Sequence, residues 1–532
     1  MKKYFSIRMA GLFAAAVVAG SSCTKNFDSY NTNQGSLNNG QTIAILSTAF
    51  GPLEQNVYSN YQTAQNLSAD GFAGYLMSPT PFKASYDLNY GLVDAWDRNG
   101  FVDPYTLGMA PVAKIAATGV RTAKPELWAV ALLLQIEYMH RVTDRFGPIP
   151  YSKAGTSVTA IPYDSQKDVY TAFFAQLDTV VNNLSAYIGA HPTDTSSLSA
   201  NDLVYQGHLD KWLKFANSLR LRLAMRIVKA DAVTAQAQAE KAMSAAGGLM
   251  STSADDAKFS QSGGRNNDIW LVAQSYGDCR LNAALASYMT GYNDPRLSKY
   301  ATPAIDPTVV AQLGAGKYEG IRIGINIASK DDYEGYASPN TVSTFTQTSP
   351  QYLMTAAEVW FLKAEAALRG WAGSGDAKTD YETGITTSFQ QWSVGAGGYL
   401  SDATSKQADY ADPKNAANNA AALSTITIQW DGSANKETML ERIITQKWIA
   451  MFPDGQEAWA DYRRTGYPKL FPVVNNTSGG TISTTTQIRR LAYPQSEYTT
   501  NGAAVGTAVQ SLLGGADNGG TRLWWDVNKG NF

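Results

Sequence analysis

The feature that most constrains the fold is a helical spacing of apolar residues that recurs along the chain. It is clearest in QYLMTAAEVWFLKAEAALRGW (351–371), where apolar side chains follow one another at three- and four-residue steps and so share one face of a helix. After the break GSGD, a second helical stretch follows, DAKTDYETGITTSFQQW (376–392). Small residues such as Ala357 and Ala364 allow this second helix to approach closely. The pair spans about 40 residues, close to the 34-residue period of tetratricopeptide repeats.

The same spacing recurs in other parts of the chain, separated by long irregular stretches. It is found in 125–140, 166–188, 208–230, 232–246, 437–452 and 455–466. The irregular stretches are 72–110, 247–282, 301–350, 393–436 and 472–532, and loops of this length are often functional. A few short strands are possible near 318–327. We therefore predict a mainly α fold, in which tetratricopeptide-like helix pairs form a single scaffold over residues 41–532. A generic helical bundle is the alternative.

The N-terminus has the pattern of a secretory signal that ends at a cysteine. Basic residues precede an apolar run at 9–20, which is too short to span a bilayer. Small residues follow, and Cys23 would be the first residue of the mature chain. This arrangement resembles a bacterial lipobox, although Gly20 occupies the position where Leu is usual. We predict a signal peptide at 1–22, an acylated Cys23 and a polar tether at 23–40. The alternative is an ordinary cleaved signal with an incidental cysteine.

Composition excludes several classes of protein. Beyond Cys23 the chain has only Cys279, so no internal disulfide and no thiolate zinc site is available. The mature chain of 510 residues is long enough to rely on a large buried core instead. It carries 40 basic and 45 acidic side chains without a basic block, which argues against a nucleic-acid partner.

Seven motifs, in order along the chain, resemble the SusD/RagB family, and within it the SusD-like lipoproteins of the Bacteroidota. They are TDRFGPIPYS (143–152), DPRL (294–297), LMTAAEVWFLKAEAALRGW (353–371), YETGITTSFQQW (381–392), ERIITQKWIAMF (441–452), DYRRTGYP (461–468) and RRLAYPQSEY (489–498). The resemblance implies helix pairs on one side of the molecule and loops on the other. It also implies an outer-membrane, cell-surface lipoprotein that captures nutrients, usually oligosaccharides and sometimes peptides. As partner it implies a SusC-like TonB-dependent transporter.

No cofactor, metal or catalytic motif is recognisable in the sequence. The three histidines are widely separated and lack ligand spacing, and no phosphate-binding glycine loop or nucleophile elbow is present. A glycosidase needs only two carboxylates, so the acidic residues leave that alternative open. We predict a binding protein without cofactor, and two alternatives remain: a surface glycosidase and a repeat scaffold that binds only protein.

Aromatic residues in the irregular stretches indicate where a ligand would bind, because sugars present apolar C–H faces that stack on aromatic rings. Residues 72–105 contain eight aromatics, where the chain average of 11% predicts about four. A second loop, 263–280, opens with glycines and mixes rings with amides and an arginine. We predict a shallow, solvent-facing site built from 72–90 and 263–280. The predicted stacking residues are Tyr75, Phe82, Tyr86, Trp270 and Tyr276, with Arg265 and Asn266 as hydrogen-bonding groups.

Overall fold

A computed structural model describes residues 39–156 and 160–532, and over these residues the chain is mainly helical. The predicted signal peptide, Cys23 and almost all of the predicted tether lie outside the described residues. The first helix begins at Asn39, so it includes the last two residues of the predicted tether, 39 and 40.

The helices and strands have the following bounds. The α-helices are α1 (Asn39–Ile45), α2 (Phe50–Gln55), α3 (Asp94–Asp103), α4 (Ala110–Ala117), α5 (Val120–Ala123), α6 (Pro125–Phe146), α7 (Gln166–Ala190), α8 (Leu209–Arg226), α9 (Ala232–Met243), α10 (Asp268–Trp270), α11 (Ala283–Gly291), α12 (Leu297–Tyr300), α13 (Pro307–Leu313), α14 (Ala356–Arg369), α15 (Ala377–Gln391), α16 (Lys436–Ala450), α17 (Gly455–Thr465), α18 (Gln495–Thr500) and α19 (Gly502–Ser511). Among the described residues, three segments are π-helical: Gln62–Asp70, Pro104–Met109 and Leu271–Ser275. The strands are β1 (Leu76–Met77), β2 (Ala257–Phe259), β3 (Arg280–Leu281), β4 (Ala301–Thr302), β5 (Ser338–Pro339) and β6 (Gln351–Met354), which pair as β1–β3, β2–β6 and β4–β5, all antiparallel.

The helices of the scaffold begin at polar residues that cap them. The Ser165 side chain accepts a hydrogen bond from the third amide of α7, and Thr355 and Asp376 do the same for α14 and α15. Such a cap satisfies a backbone N–H that the helix itself leaves unpaired. At the other end of α14, Gly370 has φ of 79°, the left-handed conformation that commonly ends a helix and that glycine adopts without strain.

Sequential helices pack against each other, which confirms the predicted helix pairs. Helix α6 packs on α7, α8 on α9, and α14 on α15, while α14 also packs on α16 and α8. Helices α16 and α17 are joined by the ion pair of Lys447 Nζ with Asp461 Oδ2 at 2.6 Å. The fold is therefore the predicted mainly α scaffold with long loops and a few short strands.

Three local predictions were wrong. Residues 351–354 form β6 rather than the first turn of α14, because they pair with β2. Within the predicted irregular stretch 72–110, residues 94–109 are helical as α3 and the second π segment. The stretch 318–327 forms no named strand; only Ile321 makes an isolated bridge, to Asn282.

The interior combines a large apolar core with buried ion pairs between helices. Buried apolar side chains from Leu46 to Trp525 form one contiguous cluster. Arg222 of α8 pairs with Glu358 of α14 at 2.6 Å, and Arg464 of α17 pairs with Glu365 of α14, also at 2.6 Å. Over residues 39–156 and 160–532, no helix combines the length and the apolar character needed to cross a membrane.

Candidate ligand-binding site

The two loops predicted to form the site are neighbours in the structure. Leu76 and Met77 of β1 pair antiparallel with Leu281 and Arg280 of β3. Each of the two loops is continuous with one strand of this ladder, so the ladder holds them side by side.

The aromatic side chains of the first loop, however, point mainly into the protein. Tyr75 is 0% exposed; its ring stacks on Trp448 at 5.3 Å and its hydroxyl donates to the Trp448 carbonyl. Tyr86 is 5% exposed and packs edge-on against Trp96. The prediction that Tyr75 and Tyr86 stack on a ligand was therefore wrong, because both rings are already covered by protein.

Phe82 is less buried than Tyr75 and Tyr86. It is half-buried, and its ring meets Trp96 edge-on at 5.6 Å. The excess of aromatics in 72–105 thus serves mostly to give this long segment an apolar core of its own.

The second loop contributes directly to an open groove of about 410 Å³. Arg265, Asn266 and Tyr276, three of the residues predicted to bind a ligand, line this groove, and Tyr276 is 46% exposed. Trp270 is half-buried and is not part of the groove lining. The groove is lined by Tyr58, Asn60, Tyr61, Gln62, Thr63, Arg265, Asn266, Asp268, Leu271, Val272 and Tyr276.

The wall opposite the second loop was missed by sequence reasoning. It consists of Asn60, Gln62 and Thr63, at the start of the π segment Gln62–Asp70. The signal was present as SNYQT (59–63), a short run of amides and hydroxyls around a tyrosine. Asn60 has φ of 47°, a left-handed conformation that asparagine tolerates better than most residues.

Both walls of the groove contain π-helical segments, Gln62–Asp70 and Leu271–Ser275. The second one follows the short helix α10, which is capped by Asn267: its Oδ1 accepts from the amides of Ile269 at 2.9 Å and Trp270 at 3.1 Å. π-helical turns are rare and occur frequently at functional sites. Here they set the positions of Gln62 and Tyr276 at the two sides of the groove.

The guanidinium group of Arg265 is fixed in place by its neighbours. Its Nη2 donates to the Tyr58 carbonyl at 2.7 Å and to Asp268 Oδ2 at 2.8 Å. Gln351 Nε2 donates to the same carboxylate at 2.5 Å. Burial raises the pKa of Asp268, and the positive charge of Arg265 partly opposes this rise. The groove therefore contains a paired cation on its wall.

A second polar cluster holds the rim of the groove. Asp278 accepts hydrogen bonds from Thr80 Oγ1 at 2.5 Å and Gln62 Nε2 at 3.2 Å. Lys330 Nζ donates to Asp278 at 3.1 Å and to the Tyr276 carbonyl at 2.8 Å. Both walls and the 72–90 loop are thus tied together next to the exposed Tyr276 ring.

This combination of groups is suited to binding and offers no metal site. The groove presents one exposed ring, three amide side chains and a fixed guanidinium group to solvent. Within the described parts of the chain, no group of three or more His, Cys, Asp or Glu side chains could hold a metal ion.

The chain matches a family model described as "Susd and RagB outer membrane lipoprotein" over residues 23–526. Among solved structures, it is similar to a chitin-binding SusD homologue from Flavobacterium johnsoniae, with 42% identity, a TM-score of 0.86, and 92% of this chain and 100% of that chain covered. A SusD homologue from Bacteroides vulgatus is 37% identical with a TM-score of 0.84, covering 92% of this chain and 100% of that one. One from Bacteroides uniformis is 36% identical with a TM-score of 0.82, covering 90% and 99%.

No match was found among curated proteins. The family model, however, extends over nearly the whole sequence, and the solved homologues share the same fold along almost their full length. The chain therefore belongs to the SusD-like family of outer membrane lipoproteins.

Proposed function

We propose that this protein is a cell-surface lipoprotein that binds oligosaccharides in the groove between Asn60–Thr63 and Arg265–Tyr276 and delivers them to a SusC-like TonB-dependent transporter. The observation that carries the proposal is the groove itself, in which an exposed tyrosine ring faces solvent beside amides and a guanidinium group. The chitin-binding homologue, 42% identical, supports glycan as the ligand class.

The geometry favours binding because the groups are already in place. The Tyr276 ring can stack on the apolar face of a sugar, while Asn60, Gln62 and Asn266 bond its hydroxyl or acetamido groups. Asp278 holds the Gln62 amide and Asp268 holds Arg265, so these two side chains lose little freedom when a ligand binds, which favours affinity.

Binding without turnover is part of the proposal. Asp268, the carboxylate of the groove lining, is buried and paired with Arg265. A general acid or base must reach the scissile bond, and this carboxylate is instead occupied in holding the groove wall.

The binding test uses purified protein and a panel of oligosaccharides that includes N-acetylglucosamine oligomers, followed by calorimetry and by chromatography of the products. We expect binding without shorter products. Tyr276→Ala is expected to weaken binding about tenfold, by analogy with the roughly 1–3 kcal/mol per ring measured for base stacking. Tyr498→Ala is the matched control, because that tyrosine is 37% exposed and lies outside the groove. Appearance of cleaved products, or equal affinities for the wild type and Tyr276→Ala, would contradict the proposal.

Membrane attachment is proposed through acylation of Cys23, with the protein facing the cell surface. The apolar signal that ends at this cysteine supports the anchor, as does a family match that starts at residue 23. Metabolic labelling with an alkyne fatty acid should label the wild type and leave Cys23→Ala unlabelled and released from the membrane. Purification from native membranes should recover the transporter with the protein; recovery of the protein alone would count against that partnership.

A further inference from the structure

The two cations around the groove form ion pairs with carboxylates of the protein, whereas one nearby carboxylate has no cationic partner. Arg265, the cation of the groove lining, is paired with Asp268 at 2.8 Å, and the two side chains are only 20% and 8% exposed. Lys330, which contacts the Tyr276 carbonyl at the rim, is paired with Asp278 at 3.1 Å. Each cation is therefore neutralised by a carboxylate, so neither adds a net positive charge to the groove.

A further carboxylate, that of Asp103, lies behind one wall of the groove: it is hydrogen-bonded to the lining residue Asn60 and is not itself part of the lining. Its Oδ2 accepts hydrogen bonds from Asn60 Nδ2 at 2.6 Å and Ser59 Oγ at 2.8 Å. Within residues 39–156 and 160–532, its side-chain hydrogen-bond donors are these two neutral groups, and it forms no ion pair. Its negative charge therefore acts on whatever is bound beside Asn60.

The Arg265 guanidinium group cannot easily turn to meet an anionic ligand. Its Nη2 also donates to the Tyr58 carbonyl, and the group lies against the Phe259 ring, 5.8 Å from its centre. Moving it toward the groove would leave the buried Asp268 carboxylate with only the Gln351 amide as donor. An unpaired buried charge is costly, so the pair resists separation.

From these contacts we infer that the groove selects uncharged glycans and discriminates against glycans that carry carboxylate or sulfate groups. This inference rests on the proposed glycan-binding function and specifies the class of substrate. The amides and hydroxyls of Asn60, Gln62, Thr63 and Asn266 are suited to the hydroxyl and acetamido groups of neutral sugars. An added anion would meet only cations that are already neutralised by a carboxylate, and beside Asn60 it would also lie near the Asp103 charge.

The experiment compares neutral and anionic oligosaccharides of matched backbone on the wild-type protein. Two pairs serve as probes: an N-acetylglucosamine hexamer with its 6-O-sulfated form, and fully methyl-esterified with de-esterified galacturonan oligomers. They are added to a broader panel containing both neutral and anionic glycans. We expect every glycan that binds tightly to be neutral. An anionic glycan bound within threefold of the best neutral one would overturn the inference and leave the proposed function intact. Failure of all glycans to bind would overturn both.

A charge variant tests the cause directly. Asp103→Asn keeps the size of the side chain and removes the unpaired charge, so it should raise the ratio of anionic to neutral binding, by at most about fivefold, the effect of one unit charge at about 4 Å in water. Asp210→Asn, at a 62% exposed position on α8, is the control and should leave the ratio unchanged. Asp268→Asn, which frees the charge of Arg265, should change the ratio in the same direction as Asp103→Asn, with thermal unfolding used to check that it folds. An unchanged ratio in the folded Asp103→Asn protein would contradict the inference.

Discussion

At the scale of single residues, the pair Asp87 and Asp97 shows how burial changes the chemistry of a side chain. The two carboxyl groups are buried against each other, at 0% and 4% exposed. Asp87 Oδ1 accepts from the Val93 amide at 2.8 Å, while Asp87 Oδ2 and Asp97 Oδ1 have no donor in the described structure. Burial raises the pKa of both groups, and the neighbouring carboxylate raises that of Asp97 further. A proton shared between them accounts for the contact.

This pair predicts a loss of stability with rising pH. Because the folded pKa values are raised, the folded protein retains a proton that the unfolded chain releases above pH ~4, so the free energy of unfolding falls as pH increases toward neutrality. The side-chain amide introduced by Asp97→Asn can donate a hydrogen bond to the Asp87 carboxyl group at every pH. We expect a flatter profile between pH 4 and 7 and greater stability than wild type at pH 8, measured by urea denaturation. Lower stability of Asp97→Asn at pH 8 would contradict the prediction.

The sequence predicted residues of the candidate site correctly only where a polar or aromatic side chain is also accessible to solvent in the fold. Arg265, Asn266 and Tyr276 follow glycines in a polar loop and line the groove. Tyr75 also lies in a loop rich in aromatic residues. It directly precedes β1, however, and its ring is buried and stacks on Trp448, 373 residues away in sequence. No local pattern encodes a contact at that separation, so aromatic content alone cannot distinguish a platform from a core.

At the scale of secondary-structure elements, buried ion pairs determine how the helix pairs meet. Arg464 of α17 donates from Nη1 and Nη2 to the two oxygens of Glu365 on α14, at 2.6 and 2.7 Å, and Arg369 donates to the same carboxylate. Burial alone would raise the pKa of Glu365, but the two guanidinium groups outweigh it and lower the pKa to about 2. The sequence predicted these helices from apolar spacing, which carries no information about such cross-helix pairs.

Replacing Glu365 should therefore weaken the packing of α14 against α17. Glu365→Gln removes the carboxylate partner of Arg369 and leaves Arg464 with only Asp461, at 3.2 Å, so we expect a loss of about 3–5 kcal/mol in the free energy of unfolding at pH 7. The wild type should lose this contribution as pH falls from about 4.5 toward 2, because a lowered folded pKa stabilises only the ionised form. The free energy of unfolding of Glu365→Gln should not show this decrease between about pH 4.5 and 2.

Denaturant titrations at several pH values measure both effects. Glu382→Gln on α15 is the control, since its pair with Lys378 is long, at 3.9 Å, and partly exposed to solvent, at 56% for Lys378 and 31% for Glu382; surface pairs contribute at most about 1 kcal/mol. Equal losses in the two variants would show that Glu365 has no special role in joining the helices.

At the scale of the whole molecule, the C-terminal segment returns to the helices near the start of the scaffold. Trp525 is 0% exposed, and its Nε1 donates to Asp144 Oδ1 of α6 at 2.8 Å. The guanidinium groups of Arg226 and Arg463 lie over its ring at 5.2 and 4.8 Å. Residues from α6, α8 and α17 thus meet on one side chain, within a core that is contiguous from Leu46 to Trp525.

We predict that the mature protein unfolds in one calorimetric transition and that Trp525→Ala lowers the stability of the whole transition. The expected cost is about 3–5 kcal/mol, typical of removing a buried aromatic side chain. Phe532→Ala, at a position 52% exposed, should have a much smaller effect. Two resolved transitions in the wild type would instead indicate that the predicted single domain is divided.

The π segments on both sides of the groove have a consequence for how the binding surface can diverge. A π turn closes over one residue more than an α turn, so the loss or gain of a single codon within Gln62–Asp70 or Leu271–Ser275 rotates every following side chain while the capped helices of the scaffold stay in place. Homologues adapted to other ligands are therefore expected to differ here in length as well as in residue type. Divergence of this kind proceeds by insertion and deletion, at two positions far apart in the gene.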